Sequence, residues 1–413
     1  MAHHPHFFTM IKRRIGKKPS VASAVVFVAL LLGACVPPPE ETTSPGVRTD
    51  HALAARVDAA AEKALTHLPI AGLSVAVMRD GRLVLAKGYG YANMAKRIPA
   101  TADTIYRLGS IGKEFTAAAV LDLAEQGRLS LSDSVSRYLS NVPTSWDRIT
   151  IRDLLAHTSG LPEGAIAPLL IETGGVGLTR QDLFRLLASQ PLIFDPGTGW
   201  SYSNAGYLLA GMVIERVTGI RSEEYLANRM LRRLGLTDTF PCPDEQPENR
   251  RWAHGYEVQE GNWLRVLRLG RPPALVDPRP INMEIVSSAG GLCSSAATLV
   301  RWPDLLRSSL LEPSSFRQMT KPTVLENGRK VAYGLGVQNR RFGSHSALAH
   351  GGVINGFVTL LANFPNDDLT VAILVNTLLP EESQTKLVAA EVLSAVFDER
   401  GTWYAPFDEV SDR

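Results

Sequence analysis

The chain has 413 residues, 45% of them hydrophobic and 20% charged, enough to bury a sizeable core as one large domain or two subdomains. The formal net charge is only +2, and no basic patch interleaved with aromatics occurs, so nothing points to a nucleic-acid partner. No His-Glu-x-x-His motif or Cys/His cluster argues for a metal, and no cofactor loop is found, since Gly290-Gly291 is too short to cradle a phosphate and reads as a tight turn.

The chain opens with a basic stretch, Lys12–Lys18, followed by about 12 mostly apolar residues from Val21 to Leu32. That pattern suits an export signal over residues 1–34 and is shorter than the roughly 18 apolar residues of a spanning helix. Loss of this segment lowers the basic count from 43 to 38 against 41 acidic residues. Leu32-Gly33-Ala34-Cys35 resembles the lipobox of bacterial lipoproteins. The resemblance implies lipidation of Cys35 and an exported protein anchored at the cell envelope, periplasmic or on the outer face of a bacterial membrane. A plain secretory signal with an incidental cysteine is the alternative. Residues 35–50, rich in Pro, Glu, Thr and Ser, then read as a flexible tether.

The folded part is expected over residues 51–400, with 401–413 as a tail. Leu53–Leu65 carries Ala, Val and Leu at helical spacing and predicts an amphipathic helix. Leu73–Met78 and Leu83–Ala86, joined through Arg79-Asp80-Gly81, predict a hairpin. Ile111–Glu125, Ile151–Leu155, Arg180–Leu187, Ala205–Val217 and Ser222–Leu234 read as helices or helix starts. A second strand pair follows, Phe357–Phe364 and Leu369–Asn376, and Glu381–Phe397 predicts a closing helix. Strands at both ends with helices between predict an α/β (α+β) fold. One antiparallel sheet would be flanked by helices, with a mainly helical insertion over about 108–280 and a site in the cleft between them. Cys242 and Cys293 are left as either a disulfide or two buried thiols.

Three short motifs carry chemistry. In Ser110-Ile111-Gly112-Lys113 the i and i+3 positions share a helix face, placing an amine beside a hydroxyl. A serine hydroxyl needs such a base, and a lysine serves only if burial or a neighbouring cation lowers its pKa. Tyr202-Ser203-Asn204 adds a phenol for proton transfer and an amide to hold Lys113 and orient a substrate carbonyl. His350-Gly351-Gly352-Val353 directly precedes the Phe357–Phe364 strand, and its glycines would let a substrate backbone lie along a strand edge. His157 also invites a Ser-His-Asp triad, but in Leu154-Leu155-Ala156-His157-Thr158-Ser159-Gly160 it reads better as a structural group at a helix end.

These three motifs, in this order, resemble those of the serine β-lactamase and penicillin-binding protein family, which includes class C β-lactamases, D-Ala-D-Ala carboxypeptidases, D-aminopeptidases and related esterases. The resemblance extends through His157-Thr158-Ser159-Gly160-Leu161-Pro162, Asp195-Pro196-Gly197 and Ser288-Ala289-Gly290-Gly291-Leu292. It implies an acyl-enzyme mechanism in which Ser110 attacks and Lys113 and Tyr202 share the acid and base work. Asn204, His350, Gly351, Gly352 and Val353 would bind substrate, and the N–H groups of Ser110 and Val353 would form the oxyanion hole. Relatives that bind substrate carboxylates often carry Lys-Thr-Gly or His-Thr-Gly at the third motif. Here the hydroxyl is missing at Gly351 and the cation is replaced by His350, mostly neutral if unperturbed. An esterase or D-amino-acid peptidase is therefore expected before a β-lactamase or D-Ala-D-Ala carboxypeptidase. A binding sensor for peptidoglycan or β-lactams, without turnover, is the alternative outside enzymes.

Overall fold

The computed structural model describes residues 50–166, 173–247, 249–259, 274–379 and 382–404. Cys35, the export segment, the tether before Asp50 and the tail beyond residue 404 lie outside these residues.

The helix α1 (His51–His67) starts at Asp50, whose carboxylate accepts the N–H groups of Ala52 and Leu53. Strands β1 (Gly72–Arg79) and β2 (Arg82–Asn93) form the expected hairpin, turning at Asp80 and Gly81, both at positive φ. The short β3 (Ile98–Pro99) follows. Four further strands come late in the chain: β4 (Gln338–Phe342), β5 (His345–Ile354), β6 (Phe357–Phe364) and β7 (Leu369–Val375). The helix α7 (Glu382–Phe397) and β8 (Trp403–Tyr404) close the described chain.

The strands form one antiparallel sheet in the order β8-β4-β5-β6-β7-β1-β2-β3. Strand β7 reads Leu-Thr-Val-Ala-Ile-Leu-Val and is buried throughout, because both faces of the sheet are covered. Val371, Ile373 and Val375 pack on one side with Leu53 and Val57 of α1 and Val392 and Leu393 of α7. Ala372 and Leu374 join a second core with Phe115, Val120, Leu154 and Trp302 of the helical part.

That part contains α2 (Gly112–Glu125), α3 (Ile151–Ala156), α4 (Arg180–Ala188), α5 (Asn204–Thr218) and α6 (Met283–Gly290). Helices continue past residue 280, through α6 and Pro313–Thr320. Asn282 caps α6 and a proline opens the later helix, both local start signals. The helix expected over Ser222–Leu234 is α-helical only to Tyr225 and then widens into a π-helical turn over Leu226–Leu231. Gly290-Gly291 is not a free-standing turn but the junction between α6 and the strand Leu292–Ser295. Cys242 and Cys293 are joined in a disulfide with their Cα atoms 5.1 Å apart. No helix among the described residues is long and apolar enough to cross a membrane.

Candidate active site

Ser110 is placed by two glycines. Gly109 sits at φ +55°, and a Cβ there would come within 3.0 Å of the Val353 backbone. A Cβ on Gly290 would come equally close to the Gly109 carbonyl carbon. The chain can therefore stack the start of α2, the edge of β5 and the end of α6 against one another. Ser110 lies in the short turn Gly109–Ile111 that leads into α2, half-exposed to the cleft.

One turn on, Lys113 is wholly buried. Its Nζ donates to Ser110 Oγ at 3.1 Å, Asn204 Oδ1 at 2.7 Å and the Ala289 carbonyl at 2.7 Å. The phenol of Tyr202 hydrogen-bonds to the Ser110 side chain, and Lys113 Nζ stands 4.9 Å from the Tyr202 ring centroid. Ser110, Lys113, Tyr202 and Asn204, distant in sequence, are thus brought together.

The segment bearing Tyr202 and Asn204 is held from below. Ser203 caps α5 through a bond to the Gly206 N–H, and its own N–H donates to His157 Nδ1 at 3.0 Å. His157 ends α3 in a left-handed conformation and packs its ring 4.4 Å from that of Tyr202. It supports Tyr202, and among the described residues its ring makes no hydrogen bond to a serine hydroxyl.

Glu163 is a site residue that sequence reasoning did not single out. Its carboxylate accepts the Asn204 N–H at 2.6 Å, the Asn204 side-chain amide at 2.7 Å and the Ala205 N–H at 3.3 Å. A carboxylate suits the N-terminus of the 15-residue α5. It also fixes the Asn204 amide: Nδ2 faces Glu163, so Oδ1 must face Lys113.

Burial is the main electrostatic influence. It lowers Lys113 from 10.5 to about 7, against the opposing pull of Glu163. It raises the Tyr202 phenol, which the bond to Ser110 only partly offsets. Near neutral pH the lysine is partly an amine while the tyrosine keeps its proton. Two acceptors, Asn204 Oδ1 and the Ala289 carbonyl, hold two amine hydrogens, so the lone pair of the neutral amine is left facing the Ser110 hydroxyl.

The third motif directly precedes β6, as expected, and itself lies within a strand, β5, pairing His350 with Leu361 and Val353 with Val358. His350 is 1% exposed, so its ring is buried rather than open to the cleft. One ring nitrogen meets the Tyr333 hydroxyl at 2.9 Å and the other the Gly351 carbonyl at 2.7 Å. Burial and the nearby Lys113 lower its pKa to about 3, so it is neutral. Gly351 has room for a side chain, whereas a Cβ on Gly352 would strike the Leu108 carbonyl. Val353 is 56% exposed and lines, together with Ser110, a cavity of about 240 Å³. Trp200 and Tyr202 pack with Tyr333, while Tyr207 is core, its hydroxyl donating to the Leu155 carbonyl. No cluster of metal-ligating side chains occurs among the described residues.

Comparison with known proteins accords with this geometry. The family model described as Beta-lactamase matches residues 57–395. Protein flp of Staphylococcus aureus (strain COL) is 28% identical over 333 residues, covering 78% of this chain. The match spans 62% of that relative's length. Penicillin-binding protein 4* of Bacillus subtilis (strain 168) is 27% identical over 73% of this chain and 67% of its own. The solved structure of a D-stereospecific amidohydrolase from Streptomyces sp. superposes with a TM-score of 0.67 at 28% identity, over 83% of this chain and 98% of that one.

Proposed function

The chain belongs to the beta-lactamase family, whose fold it shares, and we propose that it is a serine hydrolase cleaving an ester or amide bond through an acyl-enzyme. The observation that carries this reading is the buried Lys113 amine, 3.1 Å from Ser110 Oγ and lowered to about 7. The neutral amine takes the Ser110 proton as the oxygen attacks the substrate carbonyl. The N–H groups of Ser110 and Val353 receive the developing oxyanion. Tyr202, still protonated, gives its proton to the departing alcohol or amine, and the resulting phenolate is stabilised by the ammonium beside its ring before recovering a proton from it. Water then repeats the attack on the acyl-enzyme and regenerates Ser110.

The buried, neutral His350 supports an ester or amide that needs no carboxylate clamp at the third motif, rather than a β-lactam or a D-Ala-D-Ala terminus. The name of the Streptomyces relative supports D-amino-acid amides as one branch of the reading. A tagged fluorophosphonate should label the full-length protein, and Ser110→Ala should abolish both labelling and turnover of aryl esters. Turnover persisting in Ser110→Ala sinks the mechanism, and a stable penicillin adduct without any ester or amide turnover favours the sensor.

We also propose that the protein is exported and anchored through a lipid on Cys35. The lipobox-like sequence supports this, as does the Cys242–Cys293 disulfide, a bond at home in oxidising compartments. Labelled palmitate should enter the wild-type protein and not Cys35→Ala, and equal labelling would remove the anchor.

A further inference from the structure

The cavity beside Ser110 is lined on its deep side by Ile166, Leu183, Leu208, Ile285, Val286 and Ile354, with Ser110 and Asn204 at its polar end. No carboxylate lines it among the described residues, and the Arg279 guanidinium at its edge is paired with Glu257 at 3.4 Å. Such a wall can reward apolar surface and offers little to a second charged group.

Its position relative to Tyr202 assigns the side of the scissile bond. The group that protonates the departing atom must stand beside that atom, and Tyr202 is absent from the lining. The cavity is therefore assigned to the other substituent of the carbonyl, the acyl side. At roughly 30 Å³, the share of one water in the liquid and similar to a methylene group, its 240 Å³ corresponds to about eight such units.

Resting on the hydrolase reading above, we propose that this cavity is an acyl pocket selecting straight aliphatic acyl chains of about six to eight carbons, with Leu208 and Val286 setting its depth. Each methylene that enters raises kcat/KM about fourfold, until the chain reaches the end wall and the gain reverses.

The test uses the full chain and two series of esters. One varies the acyl group from acetyl to dodecanoyl with p-nitrophenol as the leaving group; the other varies the alcohol on an acetyl ester. The expected result is a rise to an optimum near six to eight carbons in the acyl series and a flat alcohol series. Val286→Phe, at a half-buried position, should move the optimum to four carbons or fewer, lowering the octanoyl-to-acetyl ratio at least tenfold. Leu208→Phe probes the deeper wall, and the half-buried site keeps the test open if that variant does not fold. A flat acyl series, a preference found only in the alcohol series, or an optimum unmoved in Val286→Phe overturns the pocket assignment while Ser110-dependent turnover leaves the hydrolase reading intact. No turnover and no fluorophosphonate labelling overturns both.

Discussion

The two sides of Ser110 are built on opposite principles. On one side the three hydrogens of the Lys113 ammonium and one of the two Asn204 amide hydrogens have partners, and a carboxylate, an amine, an amide and a phenol share one network around the buried Lys113. On the other side lies an apolar cavity that demands no hydrogen bonds. Buried polar groups are costly unless fully satisfied, so the network tolerates few arrangements and fixes the chemistry. The apolar side is constrained only by shape. Substitutions in the network should therefore change rate by powers of ten, and substitutions in the cavity should change selectivity.

The sharpest way to break this contrast is to remove the base. Lys113→Ala should lower kcat by about 10³-fold or more with the fold retained, as loss of general-base activation does. The wild-type rate should rise with pH through about 7, because only the neutral amine can take the Ser110 proton. Near-normal turnover in Lys113→Ala, or an acid limb near 4, would move the base elsewhere.

A smaller effect is expected one step further out. Glu163 touches neither Ser110 nor Lys113 in a hydrogen bond, yet its charge raises the lysine pKa and its oxygens hold Asn204. Glu163→Gln should cost about 10- to 100-fold in kcat, since the glutamine NH₂ would meet a backbone or amide N–H where the carboxylate accepted one. With the negative charge gone, the acid limb should shift below 7. A loss of rate with an unmoved limb would make Glu163 a structural cap of α5 alone.

This difference between the sides also explains what the sequence revealed. Ser110 and Lys113 are one helical turn apart, so their proximity is a local property that spacing exposes. The hairpins were legible from turn residues and the apolar runs that flank them. Glu163 was not, because a single acid in a loop meets Asn204 across 41 residues with no periodicity to announce it. The strand holding His350 was missed because two adjacent glycines lower strand propensity, while its stability comes from pairing with β6 over seven residue pairs. The disulfide likewise depends on a tertiary approach, the pairing of Phe240 with Cys293, which no spacing rule supplies.

The least effect on rate is expected immediately beside the base. Glu114 follows Lys113 in sequence, but its carboxyl accepts from the Trp302 indole N–H at 3.0 Å, in the core where Phe115 stacks on the same indole. Burial lifts it from 4.5 to about 8, so at neutral pH it is mostly the uncharged acid. Its folded value lies above the unfolded one. The stability it contributes is therefore fully present below about 4.5 and is lost as pH rises through about 8. Glu114→Gln keeps an acceptor for Trp302 and cannot ionise. Its kcat at pH 7 should stay within about twofold of wild type, while its Tm advantage should grow from pH 5 to pH 8 by several degrees. Calorimetric scans across that range decide the matter: parallel Tm profiles would mean that Glu114 ionises freely in the folded protein, and a tenfold loss of rate would mean that the catalytic network extends through α2 into the core.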